Sequence, residues 1–392
     1  MARIGSGRSG RKTMKFTKLA VFAAAMTALP PMTASAQELE FPATMVWSAY
    51  PTGAMGYAHA VAFGNVLQTK YGSSLRVLPG QNDVARLLPL KAGRADLCIC
   101  GIGAYSAVEG LGDFASRDWG PQPYRVLRAG YGDYGFAPLS SAKSGIKDAA
   151  DIAGKRVVYI PGSDSQNEIT TAYLAFAGLT WDDVERVEIP GYTQGVEAIG
   201  SGQADLMAAG SVATPTIMQL QTSPRGIYYV PLPAEDTEGW ARLQAVAPYL
   251  SAHQITVGAT MSADNPHAGA IYPYPILIVK PDYAPGLAHD VTSFMADDYD
   301  AYAEAAPAPA GWKLDRQRFD GVFPFHEGAV AYFKEQGMWT DEAQAHQDML
   351  LKRQEVLAQA WTDYTASAPD DDEAFKAGWL KARQAALDAA KL

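Results

Sequence analysis

Cysteine and histidine are scarce in this sequence of 392 residues, which has two cysteines and six histidines. Cys98 and Cys100 are separated by one residue, so a strand would place their side chains on one face, about 6–7 Å apart. That spacing suits a disulfide poorly, and we interpret the pair as small buried residues. Because no further ligand cluster accompanies them, a zinc site is excluded, and we predict neither a metal nor a cofactor.

The usual catalytic motifs are also missing. The chain has no Gly-x-Ser-x-Gly elbow, no His-Glu-x-x-His pair and no phosphate-binding loop. Enzymes need a nucleophile or base placed beside its partners, and the scattered histidines offer no such arrangement. We therefore predict no catalytic residues. The alternative, that the chain is an enzyme, would be tested by measuring turnover of a bound ligand.

Beyond the N-terminal segment, acidic residues outnumber basic residues, and that part of the chain has no long apolar run. Residues 1–36 carry six Lys or Arg and no acid, with an apolar run from Leu19 to Leu29 and Ala-Ser-Ala at 34–36. We predict a signal peptide over 1–36, cleaved near Ala36, and a periplasmic mature chain. That chain has 26 basic and 42 acidic residues, a net charge of −16, which disfavours nucleic acid as a partner.

A repeated unit is the most informative feature that is present. Pro-Gly at 79–80, a helical stretch and Gly-Arg-Ala-Asp-Leu at 93–97 correspond to Pro-Gly at 190–191, a helical stretch and Gly-Gln-Ala-Asp-Leu at 202–206. Each copy has the pattern strand, turn, helix, buried strand. The long period does not indicate a solenoid and predicts two related α/β lobes.

The strand–helix alternation continues around both copies, which predicts mostly parallel sheets with right-handed crossovers. About 355 residues follow the signal peptide, more than one hydrophobic core usually fills. Asp96 and Asp205 stand at the entry of the buried strands, far from their carboxyl ends. We interpret both aspartates as structural.

Four loops are candidates for ligand contact, because ligands of such sheets bind at the carboxyl ends of strands, against helix N-termini. They are 50–57, 80–83, 161–166 and 191–194. Each brings Gly and polar side chains to a helix start, where unpaired N–H groups favour anions. For any one of these polar residues, ordinary capping of the helix N-terminus is a sufficient explanation. Four loops at equivalent positions favour a shared site.

Tyrosines near these loops offer a flat apolar face and a hydroxyl group, which suit a polar cleft. Arg128 is the best-placed cation for a carboxylate, although a structural ion pair fits it equally well. His59 and His267 have no assignable partner. The predicted ligand-binding residues are Tyr50, Thr52, Gly53, Tyr57, Gln81, Asn82, Asp83, Arg128, Tyr131, Ser163, Asp164, Ser165, Gln166, Tyr192, Ser211 and Tyr272.

Several segments together resemble a known family over about residues 41–340. Asp-Ile-Ala-Gly-Lys-Arg-Val starts at 151, Tyr-Leu-Ala-Phe-Ala-Gly-Leu at 173 and Phe-His-Glu-Gly-Ala at 325. Their order and spacing are similar to TAXI-type solute receptors of tripartite ATP-independent periplasmic (TRAP) transporters. The first loop departs from the family pattern, since Thr52-Gly53 is followed only by Tyr57.

The resemblance implies a two-lobed type II periplasmic-binding-protein fold. Lobe 1 would comprise 37–138 and 262–329, lobe 2 would comprise 139–261, and 330–392 would be a helical extension. It implies capture of a small organic acid or amino acid, its carboxylate held at the starts of the helices after Gln81 and Ser163. It also implies delivery to a TRAP permease. A receptor of an ATP-driven importer and a sensor or adhesion protein are the alternatives.

Overall fold

A computed structural model describes residues 39–392, so the predicted signal peptide and its cleavage site near Ala36 lie outside the described residues. The strands of the described part are β1 (Thr44–Ala49), β2 (Ser74–Pro79), β3 (Leu97–Cys100), β4 (Arg125–Ala129), β5 (Pro138–Ser140), β6 (Arg156–Tyr159), β7 (Glu185–Glu188), β8 (Leu206–Ala208), β9 (Tyr228–Tyr229), β10 (Ser251–Ile255), β11 (His267–Ile271) and β12 (Ile276–Val279).

Helices alternate with these strands and then fill the C-terminal part. They are α1 (Met55–Tyr71), α2 (Asp83–Lys91), α3 (Gly103–Glu109), α4 (Asp164–Phe176), α5 (Tyr192–Ser201), α6 (Pro215–Leu220), α7 (Thr237–Val246), α8 (Pro285–Asp297), α9 (Tyr299–Ala303), α10 (Glu327–Glu335), α11 (Asp341–Thr365) and α12 (Asp372–Ala390). Within residues 39–392, no helix is both long and apolar enough to cross a membrane.

Two five-stranded sheets with the same pattern of strand directions define two lobes. The sheet of lobe 1 has the order β2-β1-β3-β12-β4, and that of lobe 2 has the order β7-β6-β8-β5-β9. In each sheet the first three strands are parallel and the fourth is antiparallel to both of its neighbours. Four of five strands therefore run in one direction, and the predicted two-lobed, mostly parallel α/β fold is confirmed.

The repeated aspartates have the same structural task in both lobes. Asp96 accepts a hydrogen bond from the backbone N–H of Val46 at 2.7 Å, and its own N–H donates to the Val46 carbonyl. Asp205 makes the equivalent pair of bonds with the backbone of Arg156. Each carboxylate thus holds the backbone of the neighbouring strand, β1 or β6, which agrees with the interpretation of both aspartates as structural.

The buried strand β3 corrects one sequence interpretation. Cys98 and Cys100 form a disulfide, with a Cα–Cα distance of 5.6 Å. This distance lies within the range that a disulfide requires and is shorter than the span of two residues in a fully extended strand. The strand is therefore contracted at its carboxyl end, which the idealised geometry of the sequence analysis did not include.

The C-terminal helices α11 and α12 pack on lobe 1. Arg353 of α11 and Arg383 of α12 both donate to the buried carboxylate of Glu109, the last residue of α3. The indole of Trp379 donates to the carbonyl of Gly110 at 2.6 Å. Gln354 donates to the Tyr124 carbonyl at 3.1 Å. The extension is therefore a helical brace across lobe 1.

Candidate functional site

A cavity of about 530 Å³, including its open mouth, lies between the carboxyl ends of the strands of the two lobes. The turns at Gln81 and Ser163 both line it, as the sequence analysis required. Of the predicted residues, those that line the cavity are Tyr50, Gln81, Asp83, Ser163, Ser165, Gln166, Tyr192, Ser211 and Tyr272. The cavity is also lined by Pro51, Ala54, Arg86, Phe136, Ile169, Gly210, Thr214 and Tyr274.

Asp83 joins the two lobes at this cavity. One carboxylate oxygen, Oδ2, accepts hydrogen bonds from the backbone N–H of Ser165 at 3.2 Å, from its hydroxyl group, and from the Ser163 hydroxyl group at 3.4 Å. The space at the start of α3 is equally tight, because a Cβ on Gly103 would lie 2.5 Å from the Asp83 carboxyl carbon. The side chain of Asn82 caps α2 by accepting from Ala85, which leaves Asp83 to reach across the cleft.

This contact changes the expected ligand geometry. The family resemblance implied a ligand carboxylate at the start of α4, at Ser163 and Ser165. In the structure the Asp83 carboxylate already receives the donors of that helix start. Anions bind well there because the first N–H groups of a helix lack intrahelical partners. A carboxylate of the protein itself therefore fills this anion position.

Arg86 is the cation of the site and was not predicted. It lies one turn after Asp83 on α2, is 4% exposed, and its Nη2 donates to Asp83 Oδ1. Its guanidinium carbon lies 3.9 Å from the centre of the Tyr50 ring, a cation–π contact. Gly80 permits this placement, since a Cβ there would lie 2.5 Å from the Cα of Arg86. The Asp-x-x-Arg spacing at a helix start was the available sequence signal.

Aromatic rings form one wall of the cavity. Tyr272 stacks on Phe136 with ring centres 4.4 Å apart, and Tyr50 meets Tyr274 edge to face at 5.5 Å. Burial raises the pKa of Tyr50 to about 12, against the opposing charge of Arg86, and raises the pKa values of Tyr272 and Tyr274 well above their ordinary range. These phenols are therefore neutral at physiological pH and can offer hydroxyl groups to a ligand.

Lobe 2 contributes polar groups without charge. Gln166 donates to the carbonyl of Ala208, and the Tyr192 hydroxyl group donates to the carbonyl of Ala209. Ser211 is buried and accepts a hydrogen bond from Ala213 N at 3.2 Å. These contacts fix the side chains at the starts of α4 and α5 and after β8, where they line the cavity.

Four predicted residues lie close to the cavity without lining it. Thr52 is exposed, and Tyr57 is half-buried against the core of lobe 1. The Gly53 carbonyl accepts from Thr216 of lobe 2, from N at 3.1 Å and from Oγ1 at 2.8 Å. Asn82 caps α2. The first loop thus helps to hold the lobes together, and only Tyr50 of its predicted residues faces the cavity.

Asp164 also serves the contact between the lobes. Its carboxylate accepts a hydrogen bond from the backbone N–H of Asp113 in lobe 1. Burial, and then the charge of Asp113, raise the pKa of Asp164 to about 6, while Lys376 of α12 acts in the opposite direction. This predicted ligand residue therefore lies outside the cavity at a second point of interlobe contact.

Arg128 lies in the core of lobe 1, which corrects its prediction as a carboxylate clamp. Its side chain is 0% exposed, and its Nη2 donates to the Trp312 carbonyl. Burial lowers its pKa to about 10. The strand pattern of β4 did not show which face Arg128 occupies, and the face it takes points into the core. Its position does not permit contact with a ligand in the cleft.

Tyr131 lines a second, mostly apolar cavity of about 700 Å³, including its mouth. Tyr272 belongs to the walls of both cavities. On the far side of Tyr272 the lining includes Ile276, Phe323 and Phe325. The polar group of Tyr131 thus lies away from Asp83 and Arg86.

Comparisons with known proteins give a family match and solved structures of low sequence identity. The model of the NMT1-like family matches residues 49–337. A periplasmic binding protein of an ABC transporter from Brucella ovis, solved with glutathione bound, is 12% identical over 65% of this chain and 69% of that chain, with a TM-score of 0.42. The aliphatic sulphonate-binding protein SsuA from Escherichia coli is 14% identical over 80% and 86%, with a TM-score of 0.40. No curated protein matches the chain.

Proposed function

The chain belongs to the NMT1-like family, and we propose that it is a periplasmic solute-binding protein that captures a small organic acid or amino acid between its lobes. The observation that carries this proposal is the cavity that Asp83 and Arg86 line together with hydroxyl groups of lobe 2. Sites of this kind place a few polar groups in a largely apolar concave surface. Both lobes contribute to the lining, so a ligand there would contact both.

Closure of the lobes supplies the mechanism. Asp83 receives donors from Ser163 and Ser165, and Gly53 receives donors from Thr216, so the lobes in this structure are joined by direct hydrogen bonds. A ligand shifts the balance between open and closed forms only through its difference in affinity for the two. A molecule that contacts Arg86 and the lobe 2 hydroxyl groups at once has such a difference.

The proposed partner is a TRAP-type membrane permease driven by an ion gradient, on the basis of the family resemblance in the sequence. The second candidate is an ATP-driven importer, because receptors of both transporter classes share the two-lobed fold. Uptake of the ligand into cells separates the two. Collapse of the ion gradient by an ionophore should stop TRAP-dependent uptake, whereas ATP depletion at constant gradient should stop an importer.

A thermal-shift screen of the purified protein with amino acids, dicarboxylates and keto acids tests the function. Ligands that bind only the folded state raise Tm, by an amount that grows with their concentration over Kd. We expect at least one compound to do so, and we expect Arg86→Gln to abolish the shift. Arg156→Gln, a matched change at the pair with Asp205 away from the cleft, should keep it.

Two outcomes would contradict the proposal. If no amino acid or small organic acid raises Tm, the ligand class is wrong. If mass spectrometry shows that a bound compound is chemically converted, the protein is an enzyme.

A further inference from the structure

In the part of the chain that the structure describes, only two residues that line the interlobe cavity carry a formal charge at neutral pH, Asp83 and Arg86. They are opposite in sign, and both are almost completely buried. The remainder of the lining consists of hydroxyl groups, amides, aromatic rings and aliphatic residues. The net charge of the lining is therefore zero, with one negative and one positive group next to each other.

Arg86 has an unused donor. Its Nη2 contacts Asp83, but its buried Nε has no hydrogen-bond partner within residues 39–392. A buried guanidinium N–H without an acceptor is costly, and such groups are nearly always satisfied. An oxyanion of a ligand in the cavity would supply the acceptor, and the planar guanidinium suits a carboxylate.

Asp83 has unused capacity as an acceptor. Oδ2 receives its donors from Ser163 and Ser165, whereas within residues 39–392 Oδ1 receives a donor only from Arg86. Each carboxylate oxygen offers about two lone-pair sites. An ammonium group beside Oδ1 would therefore find an acceptor without displacing the interlobe bonds of Oδ2.

On the basis of the proposed function, we propose that the ligand is a zwitterion. Its carboxylate contacts Arg86, and its ammonium group contacts Asp83. A simple carboxylic acid would bring an uncompensated negative charge into a desolvated site that already contains Asp83. A zwitterion brings no net charge and satisfies both unused groups. The site thus selects amino acids over the corresponding acids and amines.

Matched compounds test this selection on the whole protein. The twenty standard amino acids are measured singly by calorimetry, and each that binds is compared with its des-amino acid and its decarboxylated amine. For leucine these compounds are 4-methylpentanoate and 3-methylbutylamine. We expect each truncated compound to bind at least about tenfold more weakly than the amino acid, since one charged hydrogen bond is lost.

Asp83→Asn separates a ligand contact from a purely structural role. The substitution keeps the size of the side chain and one of its two acceptor oxygens but removes its charge. We expect the affinity for the amino acid to fall at least about tenfold and the affinity for the des-amino acid to be unchanged or higher. Asp96→Asn is the matched control, because Asp96 is exposed at a strand start and makes a comparable bond to a backbone N–H.

The outcomes distinguish this inference from the proposed function. If dicarboxylates or keto acids bind and no amino acid does, the protein is a receptor but not for zwitterions. If an amino acid and its des-amino acid bind equally, or if Asp83→Asn weakens both to the same degree, the ammonium contact with Asp83 is refuted. If none of these compounds binds, both proposals fail.

Discussion

Lobe 1 and lobe 2 share a pattern of strand directions and a repeated aspartate, yet they contribute different chemistry to the cavity between them. Lobe 1 supplies the charges, Asp83 and Arg86, on the first turn of α2. Lobe 2 supplies neutral donors, such as Ser163 and Ser165, around the equivalent end of its sheet. A duplicated scaffold thus fixes where a site lies, whereas the residues at the helix starts determine what each half offers.

The lobes also differ in support. Lobe 1 carries α11 and α12, which form hydrogen bonds with the Glu109 carboxylate at the end of α3. Helix α3 starts at Gly103, directly against the Asp83 carboxylate. The charged half of the site therefore rests on the more strongly supported lobe.

Removal of the Glu109 carboxylate should have the largest effect. Glu109→Ala leaves Arg353 and Arg383 without their shared buried partner, so we expect the free energy of unfolding to fall by about 3–5 kcal/mol. Urea unfolding measures it. Glu197→Ala, at an exposed position on α5 of lobe 2, is the control and should change stability by less than about 0.5 kcal/mol. Equal effects of the two changes would mean that the brace does not support lobe 1.

The repeated aspartates allow a direct comparison of the lobes. Asp205 accepts three bonds from Arg156, at 2.7 to 3.1 Å, whereas Asp96 accepts one, from Val46. We expect Asp205→Ala to lower the free energy of unfolding by about 2 kcal/mol and Asp96→Ala by about 1 kcal/mol. Thermal and urea unfolding would show which substitution causes the larger loss in the free energy of unfolding. A larger loss for Asp96 would show that the bonds from Arg156 do not determine the contribution of Asp205 to stability.

Ser165→Ala weakens the link between the lobes. The variant loses the hydroxyl donor to Asp83 but keeps the backbone donor, so closure should be less favourable by about 1 kcal/mol. Small-angle scattering of the ligand-free protein should show a larger radius of gyration. Ser201→Ala, at an exposed position within lobe 2, is the control. An unchanged radius would show that the Asp83–Ser165 contact does not hold the lobes together.

Asp164→Asn should have the smallest effect and a defined pH dependence. Burial raises the pKa of Asp164 to about 6, so the folded protein binds more protons than the unfolded chain between about pH 4 and 6. The contribution of Asp164 to stability therefore falls as pH rises through this window. Relative to the wild type, the variant should match in Tm near pH 4 and gain about 1–2 °C at pH 7. A Tm difference independent of pH would contradict this account.

The fold could be predicted because its signals are local and repeated. Apolar runs such as Leu97 to Cys100 and the Pro-Gly turns mark strands and their ends, and parallel strands bring those ends together. This reasoning placed Gln81 and Ser163 at one cavity. It also identified Asp96 and Asp205 as structural, since they stand at the opposite ends of the strands.

The side chains of the site were less accessible to sequence reasoning. Arg128 was chosen as the best-placed cation for a carboxylate, but the pattern of β4 does not reveal which face is buried. Arg86 was missed because its helix was interpreted by its apolar spacing. The direction of one side chain depends on packing against distant residues, such as Trp312 for Arg128 and Tyr50 for Arg86.

Because α11 and α12 are attached to lobe 1, a label near the C-terminus would move with that lobe. A fluorophore near the exposed Lys391 would travel with lobe 1, and a second at the exposed Lys143 would travel with lobe 2. Energy transfer between the two dyes would then follow opening and closing in solution. Such a pair of dyes would report any compound that changes the distance between the lobes, without alteration of the cleft.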